Sequence, residues 1–176
     1  VKPVSERIKE NYIQLGVETY GGGLWFTWFD RDLTVAGRCI VKKSSGSGLS
    51  HRLIHVKEPI LRIPTLAIHL DRTVNSGGFT PNCENHLTPV LTTTVKEKLL
   101  TATPPSAAPP ATAMDATVAP TPAPTEAKTK SHPAALLRLL SKELGVPETD
   151  IMDVELCLAD TQPATIGGIS KEFIFA

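Results

Sequence analysis

The first hundred residues alternate between apolar and polar positions, a pattern typical of short antiparallel strands. Strands are predicted from Val17 to Tyr20, through the aromatic run from Leu24 to Phe29, and from Leu33 to Val41. The glycines at 21–23 predict a tight turn between the first two, and the Ser- and Gly-rich segment 44–48 predicts a hairpin tip after the third. The pattern therefore favours consecutive strands in one sheet.

Two shorter apolar segments continue this pattern. The segment from His51 to Val56 predicts a strand with Leu53 and His55 on one face and Ile54 and Val56 on the other. The segment 60–63 predicts a further strand that ends at Pro64. Because proline is also well placed in the first turn of a helix, a short helix over 65–70 is the alternative.

The second half predicts one helix, from Ala134 to Leu144, and a final strand. Gly145 is placed to cap the helix, and Pro147 prevents its continuation. The apolar face of the helix consists of Leu136, Leu137, Leu140 and Leu144. In the final strand Val154, Leu156 and Leu158 alternate with Glu155, Cys157 and Ala159. These elements together predict a mainly β fold, a small barrel or sandwich with one or two helices.

The segment 101–133 interrupts this pattern with a composition of almost only Pro, Ala and Thr. Such a composition buries too little apolar surface to offset the entropy of ordering, so we expect a disordered loop. A proline-rich ligand for small recognition domains is the alternative. The chain is then divided into a β-rich part at 1–100, the loop at 101–133, and a helix with closing strands of the same domain at 134–176.

The charge balance changes the list of expected partners. Lys and Arg number 18, as do Asp and Glu, so the net charge of zero argues against nucleic acid and anionic membranes. The apolar runs are shorter than the roughly 20 residues that span a bilayer. Three widely spaced cysteines, Cys39, Cys83 and Cys157, predict buried reduced thiols, hence a cytoplasmic location with a vacuolar one left open.

Candidate sites of chemistry are few. His51 and His55 have the spacing of a zinc-binding helix, but Arg52 replaces the glutamate of that motif and the segment is strand-like, so a structural role is favoured. The pair formed by Cys83 and His86 lacks a second ligand pair nearby. The segment 30–32, Asp-Arg-Asp, predicts a charged turn or an ion pair. No nucleophile–base arrangement follows from the spacings, so the residues predict no catalytic machinery.

Long segments nevertheless resemble the aspartyl aminopeptidases. The resemblance begins with GVETYGGGLW at 16–25 and TWFDRDLTVAGR at 27–38, and continues with ILRIP at 60–64 and LAIHL at 66–70. It resumes with ELCLADTQPA at 155–164, the glycines at 167–168, and EFIFA at 172–176. Nearly the whole chain except the Pro/Ala/Thr loop is covered.

The resemblance implies a parent enzyme in which an α/β catalytic domain holds two zinc ions and removes N-terminal Asp or Glu from peptides. A β-rich domain inserted between the zinc-ligand motifs assembles the enzyme, implied to be a dodecamer built from dimers. This chain resembles that insert, so we expect both of its ends to be cut and the zinc ligands to lie outside it. No catalytic or metal-binding residue is then expected here. A free-standing β-rich binding module is the alternative, distinguished by the flanking coding sequence.

One residue acquires a role through the resemblance. His69 matches a histidine that is implied to reach into the active site of a neighbouring subunit and to contact bound substrate. The residues alone favour a packing role for this histidine among Leu66, Ile68 and Leu70. At Thr65 the chain departs from the family, where a second histidine is common, so no help to catalysis is expected there.

Overall fold

The computed structural model describes residues 1–43, 48–101 and 132–175. Its strands are β1 (Glu6–Lys9), β2 (Tyr12–Leu15), β3 (Leu33–Lys42), β4 (Leu49–His55), β5 (Val90–Thr93), β6 (Ile151–Asp160), β7 (Thr165–Gly167) and β8 (Phe173–Phe175). Its α-helices are α1 (Val74–Gly77), α2 (Thr94–Thr101) and α3 (Ala134–Leu144), and 3-10 helices lie at Trp25–Trp28 and Glu148–Asp150. The expected mainly β class is confirmed. No closed barrel occurs within these ranges.

The first sheet has the strand order β1-β2-β5, with antiparallel neighbours. Its hairpin between β1 and β2 turns through Glu10 and Asn11, whose φ angles of 46° and 69° are both positive. Two-residue turns of this kind match the twist of the flanking strands. Ile13 and Leu15 of β2 are buried, so the sheet contributes one apolar face to the core.

The second sheet has the order β4-β3-β6, and β3 is hydrogen-bonded along most of its length to both neighbours. The side chains of Val35, Cys39 and Val41 are buried on one face. On β4 the alternation is as predicted, because Ile54 is buried whereas Leu53 is 87% exposed. Leu156 of β6 completes the buried face, so the period-two pattern correctly identified all three strands.

The helix α3 covers the buried face of this sheet and has the predicted bounds. Leu136, Leu140 and Leu144 are buried, and Leu137 is half-buried. Gly145 ends the helix in the left-handed conformation, with φ 65° and ψ 35°. Arg52 of β4 donates a hydrogen bond to the free carbonyl oxygen of Leu144 at 2.7 Å, which fastens the C-terminal end of the helix to the sheet.

The segment 60–63 joins the two sheets instead of forming the predicted strand. It makes isolated antiparallel bridges, one from Leu61 to Leu33 of β3 and one from Arg62 to Val90 of β5. The two bridges connect to strands of different sheets, so the segment does not pair continuously with either strand. The segment that follows, 64–70, is therefore held at its start by both sheets.

Three other predictions fail, two in the aromatic region and one at 65–70. Residues 17–20 form no strand, and the run after them is a 3-10 helix over Trp25–Trp28. The segment 65–70 ends in a hydrogen-bonded turn, not a helix. The predicted strands rested on β propensity, whereas the backbone bends at Gly21 and Gly22 and then follows a 3-10 turn.

The predicted tip at 44–47 and most of the predicted loop, 102–131, lie outside the described residues. The described ends of the loop are structured, since Thr101 belongs to α2 and His132 and Pro133 are buried. The Oγ of Ser5 and the Nδ1 of His132 are hydrogen-bonded at 2.8 Å. Burial lowers the pKa of His132, partly opposed by the charge of Asp153. None of the helices in the described ranges is long and apolar enough to cross a membrane.

Candidate functional site

His69 lies in an exposed turn that projects from the junction between the sheets. The backbone N–H groups of Leu70 and Asp71 both donate to the carbonyl oxygen of Ala67, at 2.8 and 3.2 Å, and these bonds define the turn. Leu66, Ile68 and Leu70 are 65%, 47% and 75% exposed. The histidine is thus presented to solvent between apolar side chains that the described part of the chain leaves largely exposed.

A single carboxylate anchors the base of this turn. Asp30 accepts hydrogen bonds from the backbone N–H of Thr65 at 3.1 Å and from its hydroxyl at 2.5 Å. Its own N–H donates to the carbonyl oxygen of Ile63 at 2.9 Å. Asp30 has a φ of 57°, a left-handed conformation that aspartate adopts more readily than most residues. Thr65 therefore fixes where the segment leaves the domain.

The hydrogen bonds also shift the titration of this carboxylate. Those from the Thr65 hydroxyl and N–H lower the pKa of Asp30, with a smaller contribution from the charge of Arg62, against the opposing effect of burial. Because the pKa of Asp30 is lowered in the folded state, its carboxylate contributes to stability when the pH is above the ordinary pKa of an aspartate. This contribution is lost as the pH falls through the lowered pKa of the folded state. The hydrogen bonds between Asp30 and Thr65 are therefore intact at neutral pH.

Ion pairs extend the anchor to the second sheet. Arg62 donates to the carboxylate of Asp32 at 2.7 Å, and Arg31 pairs with Asp160 at the end of β6. The backbone N–H and hydroxyl of Thr161 both donate to the carbonyl oxygen of Asp32 at 2.9 Å. The prediction of a charged turn or ion pair at 30–32 is confirmed. Ion pairs and hydrogen bonds thus connect the start of the turn with His69 to the second sheet.

The other candidate ligands do not converge. His51 and His55 are exposed on β4, where the Nδ1 of His55 lies 3.0 Å from the ammonium nitrogen of Lys57. His86 instead accepts a backbone hydrogen bond from Asn82, at 3.1 Å, within the turn that contains Cys83. In the described ranges no three His, Cys, Asp or Glu side chains are grouped closely enough to hold a metal ion. The candidate ligands singled out from the sequence are therefore not brought together in this part of the chain.

The cysteines correct one prediction. Cys39 is buried, and burial raises the pKa of its thiol, as expected for an inert core position. Cys83 is half-buried, however, and Cys157 is exposed on the outer face of β6. All three are free thiols. The expectation that all three would be buried was wrong, because Cys157 lies on the exposed face of the alternating strand β6.

Comparison with known proteins identifies the family. A sequence profile described as "Aminopeptidase I zinc metalloprotease (M18)" matches residues 1–176. The chain belongs to the M18 family of zinc metallopeptidases. The M18 profile, together with relatives named as aspartyl aminopeptidases, confirms the resemblance drawn from the sequence.

Three M18 relatives illustrate the match. An aspartyl aminopeptidase of Dictyostelium discoideum is 51% identical over 179 residues, covering 100% of this chain and 35% of the relative. A cryo-EM structure of an Ape4 and Nbr1 complex matches with a TM-score of 0.78 and 35% identity, over 98% of this chain and 30% of that chain. A Saccharomyces cerevisiae mApe1 dodecamer matches with a TM-score of 0.64 and 28% identity, over 98% of this chain and 31% of that one. The chain spans about a third of these relatives.

Proposed function

We propose that this chain is the oligomerisation and substrate-access domain of a zinc-dependent aspartyl aminopeptidase that removes N-terminal Asp or Glu from peptides. The observation that carries the proposal is the anchored, exposed turn with His69 among uncovered apolar side chains. The aspartyl aminopeptidase name of a relative 51% identical over the whole chain supports the substrate class. Both zinc ions are then held by residues outside the described ranges.

The apolar side chains of the turn support a contact with a neighbouring subunit. Leu66, Ile68 and Leu70 lie close together in sequence and are each about half or more exposed. Exposed apolar side chains that form one patch mark an interaction site, whereas scattered ones do not. Burying one such side chain contributes roughly 1.5–3 kcal/mol. A relative of similar fold forms a dodecamer, which supports a homo-oligomer for the parent of this chain.

The position of His69 supports a role in substrate contact across that interface. The imidazole lies within the turn that we propose is covered by the neighbour, so it is available to donate from a ring N–H into the neighbour's site. A donor aimed at an oxygen where negative charge develops stabilises the transition state more than the ground state. The anchor through Asp30 and Thr65 supplies the fixed position that such a donor requires.

The described chain by itself should bind no stoichiometric zinc and should release no N-terminal Asp or Glu. The reason is that no group of three potential ligands converges in the described ranges. Metal analysis after dialysis, alongside hydrolysis of a peptide with an acidic N-terminus, measures both. Retention of one or two zinc ions with turnover would contradict the proposal. A free-standing binding module is recognised instead by a coding sequence without zinc-ligand motifs on either side.

The double substitution Leu66→Ser and Leu70→Ser in the parent enzyme should shift the assembly toward smaller species. If both leucines are buried in the subunit contact, their removal weakens that contact by about 100-fold or more. Analytical ultracentrifugation at several concentrations measures the shift. Leu53→Ser is the matched control, since Leu53 is 87% exposed on the outer face of β4. If the control dissociates the assembly and the double variant does not, the interface lies on β4 instead.

A further inference from the structure

A cavity of about 180 Å³ opens beside the 3-10 helix, on a part of the surface to which the proposed function gives no role. Six of its lining residues define its character, and these are Val17, Glu18, Trp25, Trp28, Ile63 and Leu158. Its wall is mainly apolar, and it is open to solvent on one side. Pockets with mostly apolar walls and a few placed polar groups are the usual form of small-ligand sites.

The 3-10 helix explains why both tryptophans reach this cavity. A 3-10 helix has three residues per turn, so side chains three positions apart lie on the same side. Trp25 and Trp28 have that spacing and both line the cavity. In the strand expected from the sequence, the same two residues would point to opposite faces. The hydroxyl of Thr27 donates to the carbonyl oxygen of Leu24 at 2.7 Å and helps to hold this short helix.

A glycine supports the orientation of one indole. A Cβ at Gly23 would lie 3.0–3.2 Å from three carbon atoms of the Trp25 ring. The ring therefore packs closely against the backbone, and a larger residue at this position would displace it. Glycine at position 23 thus leaves room for the Trp25 indole in this orientation.

The charge at the cavity favours a cationic ligand. Glu18 is exposed and lines the cavity, and in the described part of the chain its carboxylate forms no ion pair, unlike those of Asp32 and Asp160. The backbone nitrogen of Val1, another lining residue, donates to the carbonyl oxygen of Leu156 at 2.7 Å. Indole faces attract cations through their negative π surface, and a nearby carboxylate adds to that attraction.

We propose that this cavity binds a primary arylalkylamine, a compound with one aromatic ring of side-chain size and one ammonium group on a short alkyl chain. Its volume is close to that of an apolar cavity of about 150 Å³ known to accept benzene. The apolar body is desolvated against the indoles, and the ammonium is neutralised by Glu18. An anion of the same size is excluded by the same carboxylate.

Tryptophan fluorescence tests this directly, because both tryptophans of the chain line the cavity. Titration of the 176-residue chain with phenethylamine should change the emission with a Kd on the order of 1 mM, as expected for a ligand of nine non-hydrogen atoms. The neutral isostere 2-phenylethanol should bind about 3- to 10-fold more weakly, and phenylacetate should not bind measurably. Equal affinity for all three compounds, or no emission change with the amine, would overturn the proposal.

Two substitutions distinguish the contribution of the Glu18 charge to ligand binding from that of the cavity's shape. Glu18→Gln should weaken amine binding by about 3- to 10-fold and leave 2-phenylethanol binding unchanged. Val17→Phe should abolish binding of both by filling the cavity, with a thermal unfolding scan to verify folding. Glu58→Gln, at an exposed glutamate that does not line the cavity, is the matched control. If the two glutamine variants weaken amine binding equally, the attraction is a general surface effect and the site is refuted.

Discussion

His69→Ala in the parent enzyme should lower turnover by about 10- to 1000-fold, the range observed when one transition-state donor is removed. Zinc content and oligomer size should stay unchanged, because the turn is anchored by Asp30 and Thr65 and not by the imidazole. Steady-state hydrolysis of a peptide with N-terminal Asp measures the effect. A fall in kcat with little change in KM is expected, since the donor acts mainly on the transition state.

Subunit mixing shows whether this donor acts across the interface. A His69→Ala subunit is combined with a subunit whose zinc site has been destroyed, and each mutant alone is nearly inactive. In a mixed assembly some sites combine the intact zinc centre of one subunit with the intact His69 of its neighbour. Activity should therefore exceed that of either mutant alone.

Two outcomes would contradict this assignment. If hetero-oligomers form but mixing restores no activity, His69 does not work in the neighbouring subunit. If His69→Ala dissociates the assembly as Leu66→Ser with Leu70→Ser is expected to do, the imidazole packs against the neighbour instead of contacting substrate. Sedimentation of each sample before the assay distinguishes the two.

Gly37→Ala should destabilise the domain by about 3 kcal/mol or more, which is among the larger effects expected of a single substitution. A Cβ at Gly37 would lie 2.1 Å from the carbonyl oxygen of Glu155 and 2.9 Å from the Cα of Leu156. Both atoms belong to the backbone of β6, so relief requires the strands to separate at the centre of the second sheet. Urea unfolding of the chain, followed by circular dichroism, measures the loss.

Gly77→Ala provides the matched control for this prediction. Gly77 ends α1, and a Cβ there would meet nothing within 4 Å. Its effect should stay within about 0.5 kcal/mol, in the range of ordinary surface substitutions. Comparable losses for both glycines would mean that conformational freedom, and not the approach of β6 to β3, accounts for the Gly37 result.

The parts of the fold that the sequence predicts well are those with strong periodicity. The strands β3, β4 and β6 alternate because one face is buried against α3, and α3 itself carries buried leucines at positions 136, 140 and 144. Burial of one face requires apolar residues at a regular spacing, and this spacing predicts the strand or the helix. The burial predicted for Cys157 was wrong because it rested on residue type, whereas the alternation of β6 leaves this thiol exposed.

The elements that were missed lack such a pattern. The strands β1, β2 and β5 have four residues each, too few to show a period. The tryptophan spacing at 25 and 28 was the signal for a 3-10 turn, but aromatic β propensity outweighed it. His69 could be singled out only through resemblance, because its turn is anchored by hydrogen bonds from Thr65 to Asp30, 35 positions earlier, which no local pattern predicts.

The central position of β3 also has a consequence during synthesis. Its two partners are separated very unequally along the chain, since β4 follows at once whereas β6 begins roughly 110 residues after β3 ends. At a translation rate of about 5–20 residues per second, one edge of β3 is exposed for roughly 5–20 s before β6 emerges. During that interval the nascent chain presents an open apolar strand edge. Co-translational folding of the second sheet must therefore wait for the last quarter of the chain.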